Sequence, residues 1–238
     1  MDEVPKSRRI LLKISGEALK GDQEFGISNS VIDDISNEIK QAHDYGVEIA
    51  IVTGGGNFIR GNRQKELGID RASADYMGML ATVINGIALQ DAFEKKGLIT
   101  RLVSALEITE IAEPFIRRRV IRHLEKGRII IFTAGTGSPF FSTDTAAALR
   151  AIEIKADILL KATMVEGVFS DDPKKVKEVV KFDQISYSEI LSKELKVIDS
   201  TAITLCKENK LELKIFDLTK KGNIFKAIIN KDIGTLVN

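Results

Sequence analysis

The chain carries one cysteine, no tryptophan, four prolines and two histidines in 238 residues. A lone Cys206 cannot close an internal disulfide, which suits a reducing compartment. His43 and His123 stand apart on charged stretches, and neither H-E-x-x-H nor a Cys/His cluster occurs, so a transition-metal site lacks its ligands. A Ser-His-Asp set is not suggested either, because G-x-S-x-G is absent. Net charge is also missing: 35 Lys and Arg against 34 Asp and Glu leave +1. That is too little for affinity built on neutralising many nucleic-acid phosphates. No apolar run approaches the roughly 18 residues of a membrane helix. Lys13 interrupts the apolar stretch 10–14 behind a charged N-terminus, which does not read as a signal peptide. The expectation is a soluble, cytoplasmic protein with no membrane and no nucleic-acid partner. Two phosphate motifs fail as well. No glycine is followed by lysine, which excludes G-x-x-x-x-G-K-[ST], and Ile59 and Phe140 stand where G-x-G-x-x-G needs its third glycine.

What is present is 44% hydrophobic and 29% charged, enough for one α/β core. Ile10–Ile14 reads as a buried strand, followed by a glycine-containing turn, Ser15–Leu19. Ser28 reads as an N-cap, and Val31, Ile32, Ile35, Ile39 and Ala42 recur at helical spacing up to Gly46. Val47–Val52 is the next strand. Strand, helix, strand implies a parallel pair with a right-handed crossover. The same alternation continues: a helix from about Ala74 with Met77, Leu80, Val83, Ile84, Ile87 and Ala88 on one face, a strand at Thr100–Val103, and a charged helix Glu113–Lys126. A strand at 128–133, a helix at 145–154 and a strand at 158–163 follow, then a hairpin-like excursion at 165–173. Short helices at 186–193 and 199–209, a strand at 211–216, a helix at 222–229 and an edge strand at 234–237 complete the series. The expected architecture is a single domain, 1–238, with one doubly wound sheet.

Two glycine-rich turns follow strands. Gly54-Gly55-Gly56-Asn57-Phe58-Ile59-Arg60 removes side chains so that backbone N–H groups can approach an anion, with the forked cation Arg60 close behind. Ala134-Gly135-Thr136-Gly137-Ser138-Pro139-Phe140-Phe141-Ser142-Thr143-Asp144 leads into a helix; its Phe pair either stacks on a base or fills the core. Lys13 and Lys161 each end an apolar strand. In a parallel sheet all such ends open on one edge, where ligands bind; the plain reading is a snorkelling surface lysine. Asp75 and Asp144 each suit a helix first turn, either as dipole-favoured caps or as ligand-facing carboxylates. Asp171 and Asp172 before Pro173 suit a turn, Cys206 suits packing, and Arg117–Arg119 suits a solvated or subunit-facing surface. The inventory of glycine turns, strand-end lysines and loop carboxylates fits phosphoryl transfer, which needs positioning and cations over developing charge.

In five blocks, Leu12–Ala18, Gly54–Gly61, Asp75–Thr82, Gly135–Asp144 and Lys161–Thr163, the chain resembles the amino-acid-kinase superfamily and, within it, the bacterial-type uridylate kinases. The resemblance implies a three-layer αβα sandwich around a mainly parallel twisted sheet. The N-terminal part would bind the acceptor, and residues from about 160 mainly ATP. It implies transfer of the ATP γ-phosphoryl to UMP, with Mg2+ carried by ATP rather than held by a protein cage. Lys13, Lys161, Asp144 and Arg60 would be catalytic. Lys13, Ile14, Ser15, Gly16, Gly56, Arg60, Thr163, Phe169 and Asp172 would hold ATP. Gly55, Asp75, Thr136, Gly137, Ser138, Pro139, Phe140, Phe141, Ser142 and Thr143 would hold UMP; the usual residue at 138 is Asn. The loop Gly21, Asp22, Gln23, Glu24, Phe25, Gly26 matches one linked to GTP activation. UTP inhibition and a homohexamer are further implications. The alternative is another phosphate or carboxylate kinase of the same superfamily.

Overall fold

The computed structural model describes residues 8–59, 68–171, 176, 178–195, 197–229 and 232–238. Arg60 and Asp172 lie outside the described residues. Strands β1 (Arg9–Ile14), β2 (Glu48–Thr53), β3 (Thr100–Ser104), β4 (Glu113–Pro114), β5 (Ile129–Thr133) and β6 (Ile158–Thr163) come first in the sheet. They are joined by β9 (Gln184–Ile185), β10 (Glu212–Asp217) and β11 (Thr235–Val237). The order is β4-β3-β5-β2-β1-β6-β10-β11-β9, with β1 central. Neighbours run parallel except β10 and β11. A small antiparallel ribbon, β7 (Val168–Phe169) with β8 (Lys181–Phe182), is the expected excursion.

The helices are α1 (Gly16–Leu19), α2 (Asn29–Asp44), α3 (Arg71–Lys95), α4 (Arg117–Glu125), α5 (Thr143–Glu153), α6 (Tyr187–Ser192), α7 (Ser200–Glu208) and α8 (Asn223–Ile228). Strand residues alternate between two faces. Ile10, Leu12 and Ile14 of β1 pack with α2, α3 and α8, whereas Leu11 packs with α4, α5, α6 and α7. This is the three-layer αβα sandwich. The alternation also fixes the two lysines: Lys13 shares the face of Leu11, and Lys161 that of Leu159, so both point to the layer containing α5.

Several local expectations change. Ser15–Leu19 closes into the short helix α1 rather than an open turn. Ser28 occupies the cap position of α2, but its hydroxyl bonds Ser30 and not the helix backbone. Helix α3 starts three residues earlier than read, capped by Asp70, whose carboxylate accepts from the N–H groups of Ala72 and Ser73. Its buried face also differs: Met79, Thr82, Val83, Gly86, Leu89 and Phe93 face inward, while Met77, Leu80, Ile84 and Ile87 are exposed. The helix is apolar on two sides, so periodicity does not tell which side meets the sheet. Residues 113 and 114 pair with β3, so the charged helix begins only at Arg117. Strand β11 is interior, because β9 pairs on its far side. Both histidines find partners: His43 bonds the Gly127 carbonyl, remote in sequence, and His123 lies between Glu113 and Arg128, both within ten residues.

Candidate active site

Lys13 and Lys161 are directly opposite each other in the β1–β6 register. Ser142 caps α5: its hydroxyl oxygen accepts from the N–H groups of Asp144 (3.0 Å) and Thr145 (3.1 Å). The Asp144 side chain is therefore not the cap, as the plainer sequence reading had it, and projects between the lysines. Lys161 Nζ donates to Asp144 Oδ2 at 2.5 Å and to the Val197 carbonyl at 2.6 Å. Lys13 Nζ lies 2.9 Å from Asp144 Oδ1. That contact is an ion pair without the angle of a directed hydrogen bond, which leaves Oδ1 with acceptor capacity unused.

All three groups are largely withdrawn from water. Burial by itself would raise the Asp144 carboxyl, but the adjacent Lys13 and Lys161 ammonium groups outweigh it and hold it below the ordinary carboxylate range. Burial pushes the Lys161 ammonium below its usual value; the Asp144 carboxylate opposes the shift, and Lys13 reinforces it. Two ammonium groups share the Asp144 carboxylate, with Asp199 a further anion whose field reaches Lys161. Ammonium groups this withdrawn from water are costly unless anions pair with them, which an arriving phosphate would do.

The glycine turn after β2 is locked to this centre by close backbone approach. Gly54 N–H donates to the Ile14 carbonyl at 3.0 Å. A Cβ on Gly16 would lie 2.6 Å from the Gly54 oxygen, and one on Gly55 would lie 2.6 Å from the Gly78 oxygen. A cleft with a cavity volume of about 140 Å3 is lined by Gly55, Gly56, Asp75, Gly78, Thr136 and Thr143, among others. Asp75 spans it. Its carboxylate accepts the Phe140 N–H at 2.7 Å and pairs with Arg71 at 2.9 Å, linking α3 to the second glycine turn. Phe140, at φ +72, and Phe141 are exposed rather than core-filling. Thr136 and Ser138 bond each other, which closes the turn between them.

The structure thus brings Lys13, Lys161 and Asp144 together, with Ser15 and Gly16 at the same edge, and gathers Gly55, Asp75, Thr136, Phe141 and Thr143 around one cleft. Thr163 ends β6 and Phe169 lies on the ribbon, also past strand C-termini. The 21–26 loop lies beside the first glycine turn, with Gly26 N–H donating to the Asn57 carbonyl. Sequence reasoning missed Asp199 and Val197. Asp199 caps α7 through Ala202 N–H and also accepts from Thr145 (2.8 Å) and from the Ser142 hydroxyl. In sequence it reads only as a cap before Ser200, because nothing local shows that α5 lies opposite. Among the described residues no group of three or more His, Cys, Asp and Glu could cage a metal. One carboxylate with a spare oxygen suits a hard cation that arrives on phosphate oxygens.

This fold and site define a kinase-type centre: cations at the mouth of a parallel sheet between two side-chain-free turns. The chain belongs to the amino acid kinase family, whose model matches residues 8–217. It is similar to the UMP kinase from Bacillus anthracis (35% identity, TM-score 0.94, covering 97% of this chain and 96% of that one). The UMP kinase from Ureaplasma parvum aligns as fully (36%, TM-score 0.93, 98% and 99%). A uridylate kinase from Archaeoglobus fulgidus is more distant (26%, TM-score 0.73, 96% and 99%).

Proposed function

We propose that the protein is a UMP kinase that transfers the γ-phosphoryl group of ATP to UMP, giving UDP and ADP. The observation that carries this reading is the Lys13–Asp144–Lys161 cluster, set between two glycine turns. An oxygen of the UMP phosphate attacks the γ-phosphorus in line. The bond to the β–γ bridging oxygen breaks, and ADP leaves with that electron pair. The attacking phosphate is already anionic near neutral pH, so no general base is needed. Lys13 and Lys161 neutralise the charge spread over the transferred group. Asp144 holds the two ammonium groups in place against their mutual repulsion, and its Oδ1, which pairs with Lys13, would also face Mg2+ entering with ATP, an ion that would supply further charge neutralisation. Ile14, Ser15, Gly16, Gly56, Thr163 and Phe169 form the ATP side, together with Arg60 and Asp172. Gly55, Asp75 and residues 136–143 form the UMP side. One domain serves both nucleotides, the acceptor mainly before residue 160 and ATP mainly after it. Asp75 is placed to take a ribose hydroxyl.

Self-association into a homohexamer belongs to the same reading. Support comes from the exposed row Met77, Leu80, Ile84 and Ile87 along α3, an apolar surface that a lone subunit leaves wet. GTP activation through residues 21–26, UTP inhibition and a cytoplasmic location complete the proposal. A coupled assay of ADP release with ATP and UMP, CMP, dUMP, acetylglutamate or carbamate tests it. Turnover confined to a non-nucleotide acceptor would replace UMP kinase with another kinase of the family.

Two outcomes follow. Asp75→Ala weakens UMP binding by about tenfold or more, the cost of leaving the Phe140 N–H unpaired and losing one ligand contact, with kcat changed less than threefold. Titration calorimetry showing unaltered UMP affinity refutes that role. The second is a pH effect. Lys161 is useful only while charged, and its folded-state value lies below the ordinary 10.5. The rate therefore falls as pH rises through that lowered value, earlier than for an ordinary lysine. Lys161→Arg, whose guanidinium stays charged past about pH 12, moves the alkaline limb upward. An unmoved limb assigns the titration to another group.

A further inference from the structure

Behind the first glycine turn lies a polar arrangement that the phosphoryl-transfer chemistry does not use. Asn57 and Asn85 are both buried, at 2% and 0% exposure, in a region otherwise packed with apolar side chains. Their amides bond reciprocally: Asn57 Nδ2 donates to Asn85 Oδ1 at 2.8 Å, and Asn85 Nδ2 donates to Asn57 Oδ1 at 2.8 Å. Each nitrogen has a second proton, and each is used. Asn85 Nδ2 donates to the Gly54 carbonyl at 2.8 Å, and Asn57 Nδ2 to the Gly26 carbonyl at 2.9 Å. Gly26 N–H returns a bond to the Asn57 carbonyl at 3.0 Å. Every donor of the pair is satisfied, which is the condition under which a buried polar network fixes one geometry.

The pair sits where the turn has no side chains of its own to hold it. Gly54, Gly55 and Gly56 have the widest backbone freedom in the chain and the largest entropic cost of being ordered. Their position against Gly16 and Gly78 is set to tenths of an ångström. Something outside the turn must therefore fix it. Asn85 does so from the rigid body of α3, three residues past Thr82, whose hydroxyl accepts the Ala134 N–H at 2.7 Å and so anchors the start of the second turn. One helix thereby spaces both walls of the cleft.

We propose that Asn85, acting directly on the Gly54 carbonyl and through the Asn57 amide, is the positioning residue for the Gly54–Gly56 turn and so for nucleotide affinity at that turn. The inference rests on the reading of this turn as a nucleotide site. Lys13, Lys161 and Asp144 are carried by β1, β6 and α5, and the hydrogen bonds of the amide pair run to Gly26 and Gly54 rather than to them. Loosening the turn therefore affects binding and spares chemistry at saturation.

The test uses the full chain with Asn57→Ala, Asn85→Ala and the double variant. The KM for UMP rises by about tenfold or more in each single variant, because a buried partner is left unpaired. With both nucleotides saturating, kcat stays within about threefold. The double variant is no worse than the worse single one, since the pair acts as a unit. An unchanged KM in both single variants, a loss confined to kcat, or multiplicative losses in the double variant overturns the proposal. If Asn85→Ala does not fold, Asn57→Ala carries the same criteria. Amide hydrogen exchange separates this inference from the substrate assignment. In Asn57→Ala or Asn85→Ala, exchange at residues 54–58 speeds up by about tenfold or more while β1 and β6 are unchanged. Unaltered exchange there overturns the inference even if UMP is turned over, and faster exchange upholds it even if the substrate proves to be a different one.

Discussion

Asp144→Asn lowers kcat by about 100- to 1,000-fold, the range seen when one preorganised electrostatic group is removed from a transition-state site, while UMP affinity stays within about threefold. The substitution keeps the shape of the side chain and removes only its charge. Lys13 and Lys161 then face each other across the β1–β6 register with no carboxylate between them. Their repulsion displaces the two ammonium groups from the positions where the transferred phosphoryl group develops charge. UMP affinity is spared on the proposed assignment, in which Asp75 and the second glycine turn, bonded to each other through Phe140 N–H, hold the acceptor. Steady-state kinetics paired with UMP calorimetry read the two quantities separately. A kcat within tenfold of the parent would remove Asp144 from the reaction. Adding Lys13→Met to Asp144→Asn costs less than the product of the single effects, because the groups work as one unit.

Gly16→Ala is the other large effect, and it arises from packing rather than charge. The new Cβ would lie 2.6 Å from the Gly54 oxygen and 2.7 Å from the Gly56 nitrogen, both backbone atoms with little room to yield. The first glycine turn must move away from β1, straining the Gly54 N–H bond to the Ile14 carbonyl and shifting the backbone proposed to meet phosphate. We expect kcat/KM to fall by about 100-fold or more, combining lost positioning with weaker anion contacts. Stability falls by about 1–3 kcal/mol, as is usual for overpacking, which a thermal melt records. Gly46→Ala is the matched control. That position, unlike Gly16, is at positive φ, and a Cβ there meets nothing within 4 Å. It strains the backbone far from the cleft and leaves kcat/KM unchanged. Equal losses in both variants would mean that a general loss of stability, and not contact with the turn, is responsible.

The strand-end lysines were legible in the sequence because polar residues are rare at the ends of buried parallel strands, and two such strands repeat the pattern. The sequence placed both at equivalent strand ends on one edge of the sheet; that they also share a face follows from the β1–β6 register. The two glycine turns were legible for the same local reason. Asp144 was ambiguous as a residue, because a carboxylate before Thr145-Ala146-Ala147 looks like a cap; only the capping bonds of Ser142 free it for the lysines. The inward face of α3 was misread because both of its sides are apolar. Val197, Asp199 and the Asn57–Asn85 pair were invisible for a different reason. Each acts across 28 or more residues of sequence, and no spacing rule reaches that far. Arg60 and Asp172 remain readings of the sequence.

Strand β11 has only three residues, yet both of its flanks are occupied. Leu213 pairs with Val237 on one side, and Gln184 with Leu236 on the other. The buried Thr235 hydroxyl accepts the Val168 N–H and donates to the Phe182 carbonyl, so it also stitches the β7–β8 ribbon to the sheet. On the ribosome, residues 235–237 emerge after everything from 8 to 234 has been made. The strands carrying the first glycine turn can settle during translation, as N-terminal segments generally do. The ribbon and β9 gain these particular bonds only once this late triplet arrives, so the part of the proposed ATP side that the ribbon carries is fixed late.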